Sequence, residues 1–158
     1  MTSGGNNRRY WDSCNWISLI AEDEEERAAV CQRILNDAAR GGCVVLTSAL
    51  TLAEVVKGRG QPQLTETEEQ TILRFFDHSY ILVADVTRTV AETARRLVRE
   101  HRLKPPDAIH LATALLANAD VFETWNLQDF GHLDGIMPIK IRPPTWEGNL
   151  ELDVPDTT

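Results

Sequence analysis

The feature that most limits the fold of this chain is an alternation of short apolar runs with longer amphipathic segments. The first run leads from Arg9 to about Asp12, and others lie at residues 43–47, 80–84, 119–124 and 138–141. Between them, apolar residues repeat every three or four positions, as in helices that bury one side. Strands that alternate with such helices predict an α/β fold of three layers: a central parallel sheet of four to five strands, with helices on both faces.

Two helix starts and two helix ends are marked in the first half of the chain. From Glu22 onward acids crowd the first turn of a predicted helix, which Gly41–Gly42 should end. Ser48 can cap a further helix, which we expect to run to about Lys57 before a Gly- and Pro-containing stretch. Predicted helices therefore lie between the first three predicted strands.

The second half has equally clear boundaries. Thr65 and Glu68 have the spacing of a capping box, and Thr87 opens the next amphipathic segment. Pro105–Pro106 is expected to break that helix, because proline lacks an N–H group, so that another helix starts at Asp107. The alternation thus continues to the last predicted strand.

Length and composition favour a single soluble domain. The chain has 158 residues, enough for one hydrophobic core, and no apolar run approaches the roughly 20 residues that a membrane helix needs. We expect a flexible N-terminus at 1–8, a folded domain at 9–142 and an acidic, flexible tail at 143–158. A cytoplasmic protein with no membrane contact follows as the expectation.

The cysteines and the net charge limit the possible chemistry. Three widely spaced cysteines among apolar residues, Cys14, Cys31 and Cys43, predict small core side chains in a reducing compartment. The net charge of −8 disfavours a chain that grips nucleic acid over its whole surface. Part of the excess lies in residues 22–26 and in the tail, which can sit far from a working surface.

Three acidic residues are predicted to meet at one edge of the sheet. Asp12 ends the first strand, Glu54 lies in the helix after the second, and Asp107 begins the helix before the fourth. In a parallel α/β sheet, sites form at the carboxyl ends of the strands. Converging carboxylates repel unless they are protonated or bind a hard cation such as Mg²⁺ or Mn²⁺. The sequence therefore predicts a metal site.

Four segments resemble the PIN domain, a family of small metal-dependent ribonucleases that includes the VapC-like toxins. Residues 10–19 (YWDSCNWISL) resemble its opening strand with the first Asp, and residues 47–55 (TSALTLAEV) its strand and helix with the Glu. Residues 104–114 (KPPDAIHLATA) are the most specific match, and residues 122–130 (FETWNLQDF) resemble its last motif. Together the motifs span about residues 8 to 141, in the family's order.

The resemblance implies an endoribonuclease that uses Mg²⁺ or Mn²⁺, with Asp12, Glu54 and Asp107 as metal ligands. Where many members have a fourth acid this chain has Asn126, with Asp129 three residues further on, and either could complete the site. An Asn brings a carbonyl oxygen but no charge, which leaves the number of metals open. Donors that could orient the ligands are Ser13 and Thr124. The family also implies an RNA substrate, a small antitoxin that silences a toxin member, and a homodimer.

Other readings of these residues stay open. His110 lies one turn after Asp107 and could act as a general base or be a packed helix residue. The stripe of Arg88, Arg95, Arg99 and Arg102 could contact phosphate or pair with acids on its own helix. The chain could equally be an orphan PIN nuclease of RNA processing, or a weakly active module that binds a partner. A metal-dependent phosphatase lacks support, because no Asp-x-Asp motif occurs on the first strand.

Overall fold

Strands and helices alternate along the chain in the computed structural model, which describes residues 8–20, 25–56 and 62–146. The strands of this part are β1 (Arg8–Trp11), β2 (Val44–Ser48), β3 (Ile81–Ala84), β4 (Val121–Glu123) and β5 (Lys140–Arg142). The helices are α1 (Ser13–Ser18), α2 (Glu25–Ala39), α3 (Ala49–Glu54), α4 (Glu66–Phe76), α5 (Arg88–His101), α6 (Pro105–Leu116) and α7 (Leu127–Phe130). A 3-10 turn at Gly131–Leu133 follows α7. The predictions that involve Glu22, Lys57 and residues 147–158 lie outside the described residues.

The five strands form one parallel sheet in the order β3-β2-β1-β4-β5. β1 is central, and its Tyr10 lies opposite Leu46 of β2 and Phe122 of β4. Because every strand runs the same way, the residues that follow β1, β2 and β4 emerge at one edge of the sheet. The predicted parallel sheet of four to five strands is confirmed.

Two apolar cores lie on the two faces of the sheet. Successive residues of a strand point to opposite faces, so Tyr10 joins the core under α5 and α6, and Trp11 joins the core under α1, α2 and α4. The same alternation sends Leu46 to the first core and Val45 to the second. The result is the predicted three-layer arrangement. Among the described helices, none has both the length and the apolar character needed to cross a membrane.

The helix caps are formed largely as the sequence predicts. The capping box of Thr65 and Glu68 is complete, because each side chain accepts a hydrogen bond from the other residue's backbone N–H. Thr87 and Ser48 also accept backbone N–H groups at the starts of α5 and α3. Gly41 follows α2 with a φ of +85°, a conformation that costs glycine little and other residues more.

Two helix boundaries differ from the predictions, and two short helical elements were not predicted. α6 starts at Pro105 and not at Asp107, because the first turn of a helix needs no N–H group and suits the fixed φ of proline. α3 ends at Glu54, where the backbone leaves the helical region at Val55. α7 and the 3-10 turn were not expected, since elements of four and three residues show no periodicity in a sequence.

The segment after β5 folds back against the domain as far as it is described. The Arg9 guanidinium donates to the backbone oxygen of Thr145 at 3.0 Å, and Trp146 packs against the core under α1 and α2. The first residues of the expected tail are therefore in contact with the sheet. The domain limits at residues 9 and 142 remain a prediction.

Candidate active site

Asp12 follows β1 directly and is held by two donors at the carboxyl edge of the sheet. The Thr124 hydroxyl donates to its Oδ2 at 2.7 Å, and the Cys14 thiol donates to its Oδ1 at 2.8 Å. Asp12 is only 4% exposed. Burial raises its pKa, although the nearby His110 and the two hydrogen bonds oppose that change. Both oxygens of this carboxylate are thus fixed in direction.

Thr124 connects Asp12 to the segment after β4. Its hydroxyl oxygen also accepts the backbone N–H of Asn126 at 2.9 Å. Asn126 caps α7: its carbonyl oxygen accepts the N–H of Asp129 at 3.3 Å, and its Nδ2 donates to Asp129 Oδ2 at 2.9 Å. The Asn126 side-chain amide is therefore hydrogen-bonded to Asp129. Of these two residues, only Asp129 carries an acidic side chain.

Glu54, the last residue of α3, approaches Asp12 from the other side of β1. The Ser13 hydroxyl contacts its Oε1 at 2.5 Å, and Nε2 of His110 contacts the same oxygen at 2.6 Å. Partial burial opposes ionisation, but these hydrogen bonds and the charge of His110 together lower the pKa of Glu54. Glu54 is therefore an ionised carboxylate at neutral pH.

His110 connects Glu54 to the core of the domain. It is 2% exposed, and its Nδ1 lies 2.8 Å from the hydroxyl of Tyr10. Because an ionised carboxylate only accepts hydrogen bonds, Nε2 must carry the proton that faces Glu54. Sequence reasoning left His110 between a general base and a packed residue. The structure shows it packed and hydrogen-bonded to Glu54.

Asp107 lies in the first turn of α6 and is half-buried. Burial raises its pKa, and the negative charges of Asp129 and Asp12 raise it further, against the opposing charges of His110 and Lys104. Asp107 and Asp129 line one cleft, and the charge of Asp12 also acts on the Asp107 carboxyl group.

Cys14 is part of the site, contrary to the expectation that all three cysteines are core residues. Its side chain is only partly buried, and its Sγ accepts the N–H of Trp125 at 3.3 Å while it donates to Asp12. Burial and the charge of Asp12 raise the pKa of this thiol, so it stays protonated and acts as a donor. Cys31 and Cys43 are buried, as predicted.

The family model of the PIN domain matches residues 9–135 of this chain. The chain belongs to the PIN-domain family. No curated protein compared with it gives a significant match. The match to the family model confirms the predicted resemblance. The parallel five-stranded sheet with helices on both faces is the PIN fold.

Solved PIN structures with the same fold come from several bacterial toxin systems. A toxin–antitoxin complex from Klebsiella pneumoniae matches at 24% identity and a TM-score of 0.59, over 84% of this chain and 99% of that chain. VapC20 of Mycobacterium tuberculosis, a Sarcin-Ricin loop cleaving toxin, matches at 19% identity and a TM-score of 0.62, over 78% of this chain and 93% of that chain. VapBC2 of Rickettsia felis, bound to promoter DNA, matches at 16% identity and a TM-score of 0.61, over 85% of this chain and 96% of that chain. At these identities the likeness concerns the fold.

The donor chemistry of this PIN domain fits a hard divalent cation. Asp12, Asp107 and Asp129 offer carboxylate oxygens, the ligands that Mg²⁺ and Mn²⁺ prefer. Among the described residues no three His, Cys, Asp or Glu side chains are already arranged to bind one ion together. Side-chain adjustment would have to bring the ligands closer. A cation would also relieve the mutual repulsion that raises the pKa of Asp107.

A buried ion pair, which sequence reasoning missed, supports the strand that ends at Thr124. Glu123 has no exposed surface, and it accepts hydrogen bonds from the Arg9 guanidinium at 2.8 Å and from the Trp11 indole at 3.0 Å. Arg142 lies 3.6 Å away on β5. Burial raises the pKa of Glu123 against the effect of these partners. The network ties β4 to both neighbouring strands. In the sequence, this ion pair is indicated only by a glutamate at the end of a short strand that is otherwise apolar.

Proposed function

We propose that this PIN domain is a metal-dependent endoribonuclease that hydrolyses RNA phosphodiester bonds. One observation supports this most directly: the side chains of Asp12, Glu54, Asp107 and Asp129 come from four separate elements to the carboxyl edge of the sheet. Such a concentration of half-buried negative charge is unfavourable in a folded domain without a cation. It suits a site that binds a metal and acts on a phosphate.

Asp12, Glu54 and Asp107 would hold Mg²⁺ or Mn²⁺, and Asp129 would complete the set. We assign the fourth position to Asp129 and not to Asn126, because the Asn126 amide bonds to Asp129 and Asp129 acts on the pKa of Asp107. A bound ion would activate a water molecule and offset the charge that develops on the phosphate during hydrolysis.

The protein's own donors keep these carboxylates in place. Thr124 and Cys14 direct the two oxygens of Asp12, and Ser13 and His110 direct one oxygen of Glu54. Residues that orient metal ligands in this way commonly change metal affinity or activity when they are replaced. The orientations of the Asp12 and Glu54 carboxylates are thus set by protein donors.

The direct test is cleavage of single-stranded RNA by the purified chain. We expect cutting in Mn²⁺ or Mg²⁺ and none after EDTA is added. Among the residues that the structure describes, no preformed three-ligand cluster is found, which supports a second candidate: a PIN-like module that binds a partner without catalysis. Negligible binding of Mn²⁺ at millimolar concentration, measured by calorimetry, would favour that module over the nuclease.

We further propose that the chain is the toxin of a VapBC-like pair, in line with the fold it shares with proteins described as toxins. Induced expression in a bacterial host should then stop growth, because RNA cleavage is not restrained. Asp12→Ala should restore growth, whereas Asp85→Ala, at an exposed acid after β3, should not. Harmless expression of a chain that cleaves RNA in vitro would favour an orphan nuclease of RNA processing.

Two protein partners belong to this proposal: a small antitoxin and a second copy of the chain. The structural relatives include complexes named VapBC and FitAB. On this chain, large apolar side chains are exposed on α3, just after α3, on α4 and on the edge strand β3: Leu52, Val56, Leu73 and Leu82. A homodimer could cover them. Light scattering should give the mass of two chains.

Replacing His110 is expected to raise the Mn²⁺ concentration needed for half-maximal cleavage by about 10- to 100-fold. His110→Phe removes the donor to Glu54, so the carboxylate loses its orientation before it meets the metal. His110→Gln can still offer an N–H group, and we expect it to recover most of the affinity. The measurement is cleavage rate against Mn²⁺ concentration.

Tyr10→Phe is the matched control for this prediction. It removes only the hydroxyl that contacts the far nitrogen of His110, so the Mn²⁺ requirement should change by less than about threefold. If His110→Phe lowers the rate equally at every Mn²⁺ concentration, then His110 does not act through the metal ligand. Melting temperatures of all variants separate this effect from loss of folding.

A further inference from the structure

A cleft of about 310 Å³ opens beside Asp107 and Asp129, and its other wall is basic. Three basic residues of that wall come from the end of α5 and its connection to α6, and one comes from the 3-10 turn: His101, Arg102, Lys104 and His132. Leu103 and Gln128 complete the lining. The cleft thus continues from the proposed catalytic carboxylates to a positively charged surface.

The positive charge at this place is unusual for the chain. The net charge of the protein is −8, yet residues 88–104 contain six Lys or Arg and only two Glu. An acidic protein that binds RNA needs a local basic surface near its site, since most of its surface repels phosphate. The region next to Asp107 has the charge that such a surface requires.

Arg102 and Lys104 are exposed and have no internal ion pair within the described part of the chain. Arg88, near the other end of α5, differs because it pairs with Glu92 at 3.6 Å. Lys104 is close enough to Asp107 to lower its pKa. The two cations of the cleft are therefore available to an external anion, and one of them lies near a proposed metal ligand.

The backbone at this place contributes little to anion binding. The start of a helix usually offers free N–H groups, but Pro105 and Pro106 have none. The N–H of Ala108 already bonds to the backbone oxygen of Lys104. The side chains of Arg102 and Lys104 must therefore supply most of the positive charge in the cleft.

We propose that this cleft binds a second phosphate of the RNA strand, next to the phosphate that is cleaved, through Arg102 and Lys104. This inference rests on the proposed nuclease function. Phosphate contacts fix the position of a nucleic acid on a protein without reading its sequence. Arg102 and Lys104 are thus positioning residues that set the register of the strand over Asp12, Glu54 and Asp107.

The test compares two double variants that remove the same charge. The Arg102→Gln, Lys104→Gln variant neutralises the cleft, and the Arg88→Gln, Arg96→Gln variant neutralises two exposed residues of α5 outside it. Binding of a labelled single-stranded RNA 12-mer is measured by fluorescence anisotropy in EDTA, at several salt concentrations. Cleavage of the same RNA is measured separately in Mn²⁺, and melting temperatures check that both variants fold.

We expect the cleft variant to bind RNA about 10- to 30-fold more weakly near 0.1 M salt, with a shallower salt dependence, because two phosphate contacts are lost. Its KM in Mn²⁺ should rise by about the same factor, and its kcat should stay within about threefold. The control variant should bind within about threefold of the parent chain.

Three results would overturn the proposal in distinguishable ways. If the parent chain cleaves RNA but both variants bind it equally well, the cleft is not a phosphate site and the nuclease function stands. If the cleft variant instead loses affinity only for an acidic protein partner, the cleft is a protein-docking site. If the parent chain neither binds nor cleaves RNA, the nuclease function and the cleft proposal fall together.

Discussion

Asp107→Asn is expected to reduce RNA cleavage by at least about a hundredfold without lowering the stability of the metal-free protein. The loss of activity follows from the loss of a charged oxygen ligand beside Asp12 and Asp129. Asparagine keeps the size of the side chain but binds a hard cation weakly. The expected combination of an inactive site and an intact fold is typical of functional residues that the fold itself does not need.

The stability part of this prediction follows from the pKa of Asp107. Burial and the charges of Asp129 and Asp12 raise its pKa in the folded state. Such a group stabilises the fold at pH values below its unfolded pKa, and this contribution is lost as pH rises through the folded pKa. At pH 7 in EDTA the ionised Asp107 therefore opposes folding. Asp107→Asn removes that charge, so the free energy of unfolding of this variant should be equal to or higher than that of the parent chain.

The measurements are RNA cleavage in Mn²⁺ and urea unfolding in EDTA at pH 7 and pH 5. The parent chain should approach the stability of Asp107→Asn as the pH falls toward 5, because its carboxyl groups take up protons. Asp85→Asn, at an exposed acid, is the matched control and should change neither quantity. Undiminished cleavage by Asp107→Asn would remove Asp107 from the site.

Glu123→Ala is expected to lower the free energy of unfolding by about 3–5 kcal/mol, the range for breaking a buried ion pair from one side. Glu123 has no exposed surface, and its removal leaves the buried Arg9 without its carboxylate partner. The Trp11 indole also loses its acceptor. Since domains are stable by only about 5–15 kcal/mol, the variant should be partly unfolded at growth temperature.

Chemical denaturation at neutral pH measures this effect, with Glu92→Ala as the control. Glu92 forms an exposed pair with Arg88, so its loss should change the unfolding free energy by less than about 0.5 kcal/mol. Glu123→Gln keeps the side-chain volume and one hydrogen-bond acceptor. Its loss of unfolding free energy should therefore lie between those of Glu92→Ala and Glu123→Ala. A loss below about 1 kcal/mol for Glu123→Ala would mean that Arg9 finds other partners at no cost.

Much of the fold could be predicted because local patterns and the final structure agree. The strands before Asp12 and after Gly41–Gly42, and the cap at Thr65, each depend on neighbouring residues in the chain. The errors occurred where local signals compete or are too short. Proline can break a helix or start one, and only the packing of α6 on the sheet shows that Pro105 starts it.

The sequence predicts three acidic site residues, and the structure adds the contacts of their side chains. The spacing of Asp12, Glu54 and Asp107 along alternating elements was sufficient to expect them at one edge of the sheet. Their partners could not be found in this way, because the contact between His110 and Glu54 joins residues 56 positions apart, and that between Thr124 and Asp12 joins residues 112 positions apart. Such contacts depend on how the helices pack.

The sequence by itself determined the α/β fold class, the family and the three acids proposed as ligands, because periodicity and motif spacing are properties of the chain. Only the tertiary structure shows that Asn126 is hydrogen-bonded to Asp129, that the Cys14 thiol donates a hydrogen bond to Asp12, and that Glu123 forms an ion pair with Arg9. The reason is physical: hydrogen bonds and charge interactions act over a few ångströms in space, and distance along the chain does not reveal them.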